Sequence, residues 1–279
     1  LKYKVVAEEK IEDAYQVEDV ITSLPAIISD LLRRAEIDKP MIVGIGIGIV
    51  LSFNTNELYA KLSKEYGVPI TIDNGANAAV IGEHLIGFGS EIKNIAYIHC
   101  GVGIRTGVIS TNLLIRPNDP SEDALGHMIV DRNGDLCSCG NHGCVETCVS
   151  IAKLTQNYLK QVGQAETAFL NKDLSKITYR DVCHLAENNN KIARDLLIES
   201  ALYFGIGLSN FIRFLNPQLI ILSGPLIHHS QLFYDQCTTI ALETCHIKDN
   251  ELRFIKGGYF KEYSISIGAV VMVMQNICQ

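Results

Sequence analysis

The sequence predicts an α/β protein, and three observations carry that expectation. Short apolar runs alternate with stretches of helical periodicity in both halves of the 279 residues. The run over residues 41–49, with Gly44, Gly46 and Gly48 at every second position, is too short for a helix and fits a buried parallel strand. Residues 15–34, by contrast, repeat Val17, Val20, Ile21, Leu24, Ile28, Leu31 and Leu32 at spacings of three and four, the period of one helix face.

The remaining elements follow in chain order. Residues 2–7 alternate weakly and read as a strand. Residues 57–66 form a short helix closed by Gly67, a residue type at ease in the left-handed conformation that ends helices. A strand over 68–73 leads into an alanine-rich helix over 76–86. Residues 92–100, 104–110 and 113–116 read as strands joined by tight turns, and 117–144 is loop-rich in Gly, Asn and Asp. Helices return at 151–162, 179–187 and 192–215. Asn216-Pro217 stops the last, because the residue before a proline is pushed out of helical geometry. Residues 218–222 form a buried strand, Ser223-Gly224-Pro225 a turn, and 264–277 a final apolar helix.

Charge and hydropathy remove several classes. Lys and Arg number 24 against 31 Asp and Glu, a net charge of −7 that offers a polyanion no general attraction. No basic stripe carries interleaved aromatics. No apolar run approaches the ~18 residues of a membrane span. The opening LKYKVVAEEK lacks the apolar core of a signal peptide. The expectation is a cytoplasmic protein with neither a membrane nor, through this chain, a nucleic-acid partner.

Nine cysteines, an odd number without a secretion signal, speak against a disulfide framework. Cys100, Cys148, Cys183, Cys237, Cys245 and Cys278 stand singly and read as small buried hydrophobes. Cys137, Cys139 and Cys144 crowd into eight residues, with His127 ten positions upstream. One imidazole and three thiolates make a closed tetrahedral set suited to structural Zn²⁺. A Cys-x-Cys pair needs a local turn to chelate, and Gly140 and Gly143 supply the permissive backbone. Asn133-Gly134 is a turn that brings His127 back toward the thiols. His142, inside the loop, is a competing imidazole that reads as a solvent-facing turn residue. His228-His229 reads as a loop pair. Lys93, Lys153, Lys160 and Arg213 read as solvated faces.

Gly126-His127 followed by Cys-x-Cys-Gly-x-x-Gly-Cys-x-Glu, Cys137 to Glu146, resembles the signature of the ROK family, the repressors and sugar kinases of the actin/hexokinase-like ATPase fold. Other stretches match in order. Residues 67–79, with Asp73-Asn74-Gly75-Ala76-Asn77, resemble the family's sugar-site segment. Gly101-Val102-Gly103 resembles its second phosphate loop, and residues 216–224 the strand and turn that face adenosine in the kinases. The resemblance implies two α/β lobes of ribonuclease H-like fold with a cleft between them. Residues 1–115 would form the first lobe, joined by the closing helix 264–279, and 116–263 the second, with the zinc loop and dimer-forming helices. It further implies a sugar or sugar phosphate held by Asn74, His127 and Glu146, and a homodimer or higher homo-oligomer. Each residue has a plainer reading beside this one. Asn74 can stabilise a turn, Glu146 can favour a helix N-terminus, and Gly101 and Gly103 can serve a β-turn.

The departures from the family pattern set the functional expectation. The kinases' glycine-rich Asp-x-Gly-Gly-Thr turn would lie before Leu1, and the stretch after Gly48 is short, so residues are expected to be missing at both places. The kinases place their general base, an Asp, at the position of Gly75, which has no side chain to accept a proton. Asp73, two residues back on the same strand face, is a weak substitute. The sugar-binding Glu three residues before His127 is replaced by Ala124, and Arg105 stands where the phosphate loop continues with Gly. Glu122 and Asp123 are near but out of register. The expectation is therefore a sugar-sensing effector domain of a ROK-type regulator without catalytic residues, its DNA contact made by a helix-turn-helix domain outside this chain. The alternative is a hexose or N-acetylhexosamine kinase using ATP and Mg²⁺.

Overall fold

Two leucines one helical turn apart organise the first layer. Leu58 and Leu62 of α2 (Thr55–Tyr66) are buried against Ile45, Ile47, Ile70 and Ile72. Those isoleucines belong to β1 (Ile45–Ile49) and β2 (Ile70–Asn74), which pair in parallel from Ile45↔Ile70 to Ile49↔Asn74, with α2 as their crossover. Gly67 ends α2 at φ +62°, as a C′ glycine does. Leu24 and Ile28 of α1 (Val17–Arg34) cover the same cluster. This computed structural model describes residues 4–9, 17–49, 55–116, 123–162, 174–246 and 252–278.

The second sheet runs β5-β4-β3-β6-β7. Its antiparallel part is β3 (Ile95–Cys100), β4 (Ile104–Ser110) and β5 (Leu113–Ile115), and β6 (Leu219–Ser223) and β7 (Arg253–Lys256) continue it in parallel from β3. All five residues of β6 are buried, which explains its unbroken apolar sequence.

Between the sheets lie α3 (Gly75–Ile86) and α10 (Ser264–Cys278), packed on each other and, for α10, on β1. The alternating glycines of β1 are explained here: a Cβ at Gly46 would stand 2.2 Å from the Ala269 carbonyl oxygen, so the backbones of strand and helix touch. On the other side of the larger sheet one core gathers α4 (Val145–Val149), α5 (Ile151–Gln161), α6 (Tyr179–Glu187), α7 (Lys191–Leu215), α8 (Pro225–His229) and α9 (Gln231–Cys245). Phe204 of α7 stacks on Phe233 of α9 with centroids 5.7 Å apart. By length and composition α7 could cross a membrane, but 61% of its most apolar window is buried in this core.

Several expectations are corrected. Residues 4–7 form no strand; they line an apolar cleft of about 810 Å³ beside α10, and Val5 and Val6 remain exposed. The strand expected over 41–49 starts only at Ile45, because Lys39–Met41 turns around Pro40 and leaves Met41 and Val43 exposed. It is half-buried, not buried. Sheet pairing joins residues 95–115 to β6 and β7 in one sheet, across the boundary expected at 115/116. Cys278 is exposed, and Cys148 and Cys245 are half-buried. The short α4 and α8, and also α9 and β7, were not anticipated. The mixed face of α9 lacks a clean period, and β7 has four residues.

Candidate functional site

The cysteine loop closes on itself. The ligand atoms of His127, Cys137, Cys139 and Cys144 all lie within 4.8 Å of one another. Cys137 Sγ stands 3.5 Å from His127 Nδ1, and Cys139 Sγ 3.6 Å from Cys144 Sγ. The Cys137 amide donates to the Asn141 carbonyl at 2.7 Å and Gly140 N–H to the Cys137 carbonyl at 3.0 Å, folding the chain back. Gly143 adopts φ +66°, and a Cβ there would fall 1.4 Å from the Asp131 carbonyl oxygen, so no other residue fits. His142 lies outside the cluster, exposed, its Nδ1 3.0 Å from the Gly134 carbonyl. Lys153, expected on a solvated face, pairs with Asp135 and ties the loop to α5. Burial pushes the Cys144 thiol up to about 12, while the Asn141 backbone N–H lowers the Cys139 thiol. One nitrogen and three sulfurs at this spacing can hold a metal ion.

The end of β2 meets the start of α3. Asn74 is the N-cap: its Oδ1 accepts the Ala76 N–H at 2.8 Å, the turn-stabilising role. Asp73 is 5% exposed. Its Oδ1 accepts the Asn74 N–H at 2.7 Å and Asn77 Nδ2 at 3.0 Å, and its Oδ2 pairs with Arg116 Nη2 at 2.6 Å. Both oxygens are thus engaged. A Cβ at Gly75 would meet Ile265 Cδ1 at 3.3 Å and Cγ2 at 3.4 Å, so α10 fills the space beside this position.

Gly101 and Gly103 form the hairpin turn between β3 and β4, closed by Gly101 N–H to the Gly103 carbonyl at 3.0 Å. Over Gly103 lies an ion pair. Arg105 Nη1 donates to Glu146 Oε2 at 2.9 Å and to the Ile104 carbonyl at 2.7 Å, and the Ile104 N–H also donates to Glu146 Oε2 at 2.8 Å. Glu146 sits in the first turn of α4, the helix N-terminal setting of its plainer reading. Asp123 is buried and accepts Thr106 Oγ1 at 2.7 Å, the Thr106 N–H and the Gly126 N–H at 2.9 Å. Burial pushes its carboxyl up. It anchors the turn that presents His127 and leaves Ala124 exposed. Glu122 lies outside the described residues.

Three groups escaped sequence reasoning: the buried Glu83, the half-buried His99 and the exposed Arg116. Glu83, with no exposed surface, accepts the Tyr259 N–H at 2.8 Å, the Phe260 N–H and Ser264 Oγ at 3.3 Å, and the Phe88 N–H at 3.4 Å. Burial raises its carboxyl. Its one legible signal was an acid in an otherwise alanine-rich helix. His99 is pushed down to about 4 by burial, and its Nδ1 has no partner among the described residues. It lines a cavity of about 220 Å³ with Tyr97, Ser223, Gly224 and His228, at the carboxyl ends of β3 and β6 where open α/β sheets take ligands. Arg116 closes on Asp73 from the end of β5, a pairing invisible in sequence.

Comparison with known proteins decides the family. Residues 50–275 match the model of the ROK family. The chain belongs to the ROK family. It is 34% identical over 219 residues to the xylose repressor of Bacillus subtilis, covering 72% of this chain and 54% of that protein. It is 25% identical over 224 residues to the glucokinase of Halalkalibacterium halodurans, covering 74% of this chain and 68% of that protein. In structure it resembles a ROK family glucokinase from Streptomyces griseus solved with glucose and AMPPNP. That likeness has a TM-score of 0.81 at 21% identity, over 98% of this chain and 93% of that one. The fold is therefore the two-lobed actin/hexokinase-like ATPase fold, and the chain spans about half the length of the Bacillus repressor.

Proposed function

We propose that this ROK chain is the sugar-sensing part of a transcriptional regulator and does not transfer phosphate. The observation that carries the reading is position 75. The family's kinases use a carboxylate there as base; here Gly75 faces Ile265, and both oxygens of the neighbouring Asp73 are taken by Asn74, Asn77 and Arg116. A proton acceptor for a sugar hydroxyl is thus lacking among the described residues at that position. The likeness to a protein named xylose repressor supports the same reading.

Asn74, His127 and Glu146 border the sugar, and bound sugar favours one closure of the lobes. The change reaches DNA through a homodimer and a helix-turn-helix domain outside this chain. The metal at His127, Cys137, Cys139 and Cys144 is Zn²⁺ in a structural role, since three thiolates and an imidazole complete a tetrahedron. Exposed Leu202 and Phe214 on α7 suit a homodimer contact, and a cytoplasmic place follows from the regulator role.

The kinase reading keeps the support of the Halalkalibacterium glucokinase and the Streptomyces structure, with ATP and Mg²⁺ at the Gly101–Gly103 turn. Calorimetry with xylose, glucose and N-acetylmannosamine, beside a coupled assay for sugar-dependent ADP release, separates the two. The expected result is binding of a sugar without phosphorylation. Turnover at ~1–100 s⁻¹ overturns the proposal.

A further inference from the structure

We infer that Glu83 is the latch of a double hinge between the two sheets, with one carboxylate oxygen on each connecting segment. The inference concerns how the sheets move against each other, whatever the cleft binds. After β2 the chain passes between the sheets twice. Residues 87–94 lead from α3 to β3, and residues 257–263 lead from β7 back to α10, which packs on β1. Both passages meet at Glu83. Its Oε2 accepts the Phe88 N–H at 3.4 Å, on the first passage. Its Oε1 accepts the Tyr259 N–H at 2.8 Å and the Phe260 N–H at 3.3 Å, on the second, and Ser264 Oγ at 3.3 Å, where α10 begins. Phe88 also packs edge-on against Tyr259 with ring centroids 5.3 Å apart, a further contact from passage to passage.

Among the described residues the partners of this carboxylate are three main-chain amides and one hydroxyl, so it holds backbone in place. Glycines stand against it on both passages. A Cβ at Gly87 would lie 2.5 Å from Oε2, and one at Gly258 2.4 Å from Oε1. Gly257 and Gly258 adopt φ +80° and +78° in succession. A hinge concentrates its change of φ and ψ at a few such positions, and glycine changes at least steric cost. The other end of each passage is fastened to β6. The Gln218 N–H donates to the Asn94 carbonyl at 2.8 Å, and the Gly257 N–H to the Leu222 carbonyl at 2.7 Å. The freedom to bend therefore lies between β6 and Glu83. A swing of one passage alone would strip a buried carboxylate oxygen of its donor, which is unfavourable, so the two passages turn together. Helix α3 carries the motion onward, since Gly75 at its start is about 12 Å from Glu83 at ~1.5 Å per residue. Asp73 and Asn74 precede that start, at the edge of the cleft.

The test is hydrogen–deuterium exchange on the whole chain, beside small-angle X-ray scattering, with no ligand added. Glu83→Gln keeps one oxygen for Tyr259 and Phe260 and sets an NH₂ group against the Phe88 N–H. Amides of residues 87–94 should then exchange about tenfold faster, the worth of one hydrogen bond to a charged group, while those of 257–263 stay protected. Glu83→Ala should release both passages. In both variants the radius of gyration should rise. Phe88→Ala removes an exposed ring, so it tests the same hinge if Glu83→Ala does not fold, and it should speed exchange in both passages about threefold. Thermal melts report which variants are folded. Exchange that quickens equally in every element, or a radius of gyration unchanged in every folded variant, overturns the inference and leaves Glu83 a clamp within one rigid body. Because no sugar enters the experiment, either outcome leaves the sugar-sensing reading to its own calorimetric test.

Discussion

Gly143 carries more of the metal loop than its lack of a side chain suggests. Its positive φ and its contact with the Asp131 carbonyl let Cys144 face Cys139 while Val145 opens α4. Gly143→Ala should cost at least about 2 kcal/mol, the scale of a strained backbone or an overpacked site. Elemental analysis should find less metal per chain than in the unaltered protein, and a melt a lower midpoint. Unchanged metal content would mean that the loop closes by another route. The cysteine spacing made this cluster legible because chelation is local: three ligands within eight residues and a turn leave few alternatives. Glu146 and Asp73 were legible as candidates only. Whether a carboxylate faces a ligand or a protein donor depends on Arg105, Ile104 and Arg116, which lie 41 to 43 residues away along the chain.

At the scale of elements, α3 joins the site to the far end of the molecule. Its N-terminus carries Asn74 and Asp73, and its last turn carries Glu83, which holds the segment leading into α10. A Cβ at Gly258 would stand 2.4 Å from Glu83 Oε1, so the clamp also dictates a glycine there. Burial raises the Glu83 carboxyl above its ordinary 4.5, so between that value and the raised one the folded chain binds more protons than the unfolded one. The Glu83 contribution to stability is full below 4.5 and is lost as pH rises through the raised value. Urea denaturation across this window should show that loss, and Glu83→Gln should flatten it. An unaltered slope in the variant would assign the pH dependence to another group, such as Asp123. Long periodic elements such as α7 and unbroken apolar runs such as β6 were readable, because their packing repeats along the chain. Residues 4–7 misled because alternation builds no ladder without a neighbouring strand, and none pairs with them among the described residues.

For the molecule as a whole, net charge sets one expectation. With −7 overall, this chain should not retard duplex DNA in a mobility-shift experiment at ~0.1 M salt, where non-specific binding relies on phosphate neutralisation. Retardation by the isolated chain would place a DNA-reading surface on it. The sequence by itself determined the α/β class, the His/Cys cluster able to hold a metal and the family, because each is written in local spacing or in an ordered series of motifs. Only the tertiary structure decided where the sheets divide, that Ile265 backs Gly75, and that Glu146 and Asp73 are each paired with an arginine. Those outcomes rest on contacts between segments far apart in the chain, and no local pattern records which distant side chain arrives to fill a space or neutralise a charge.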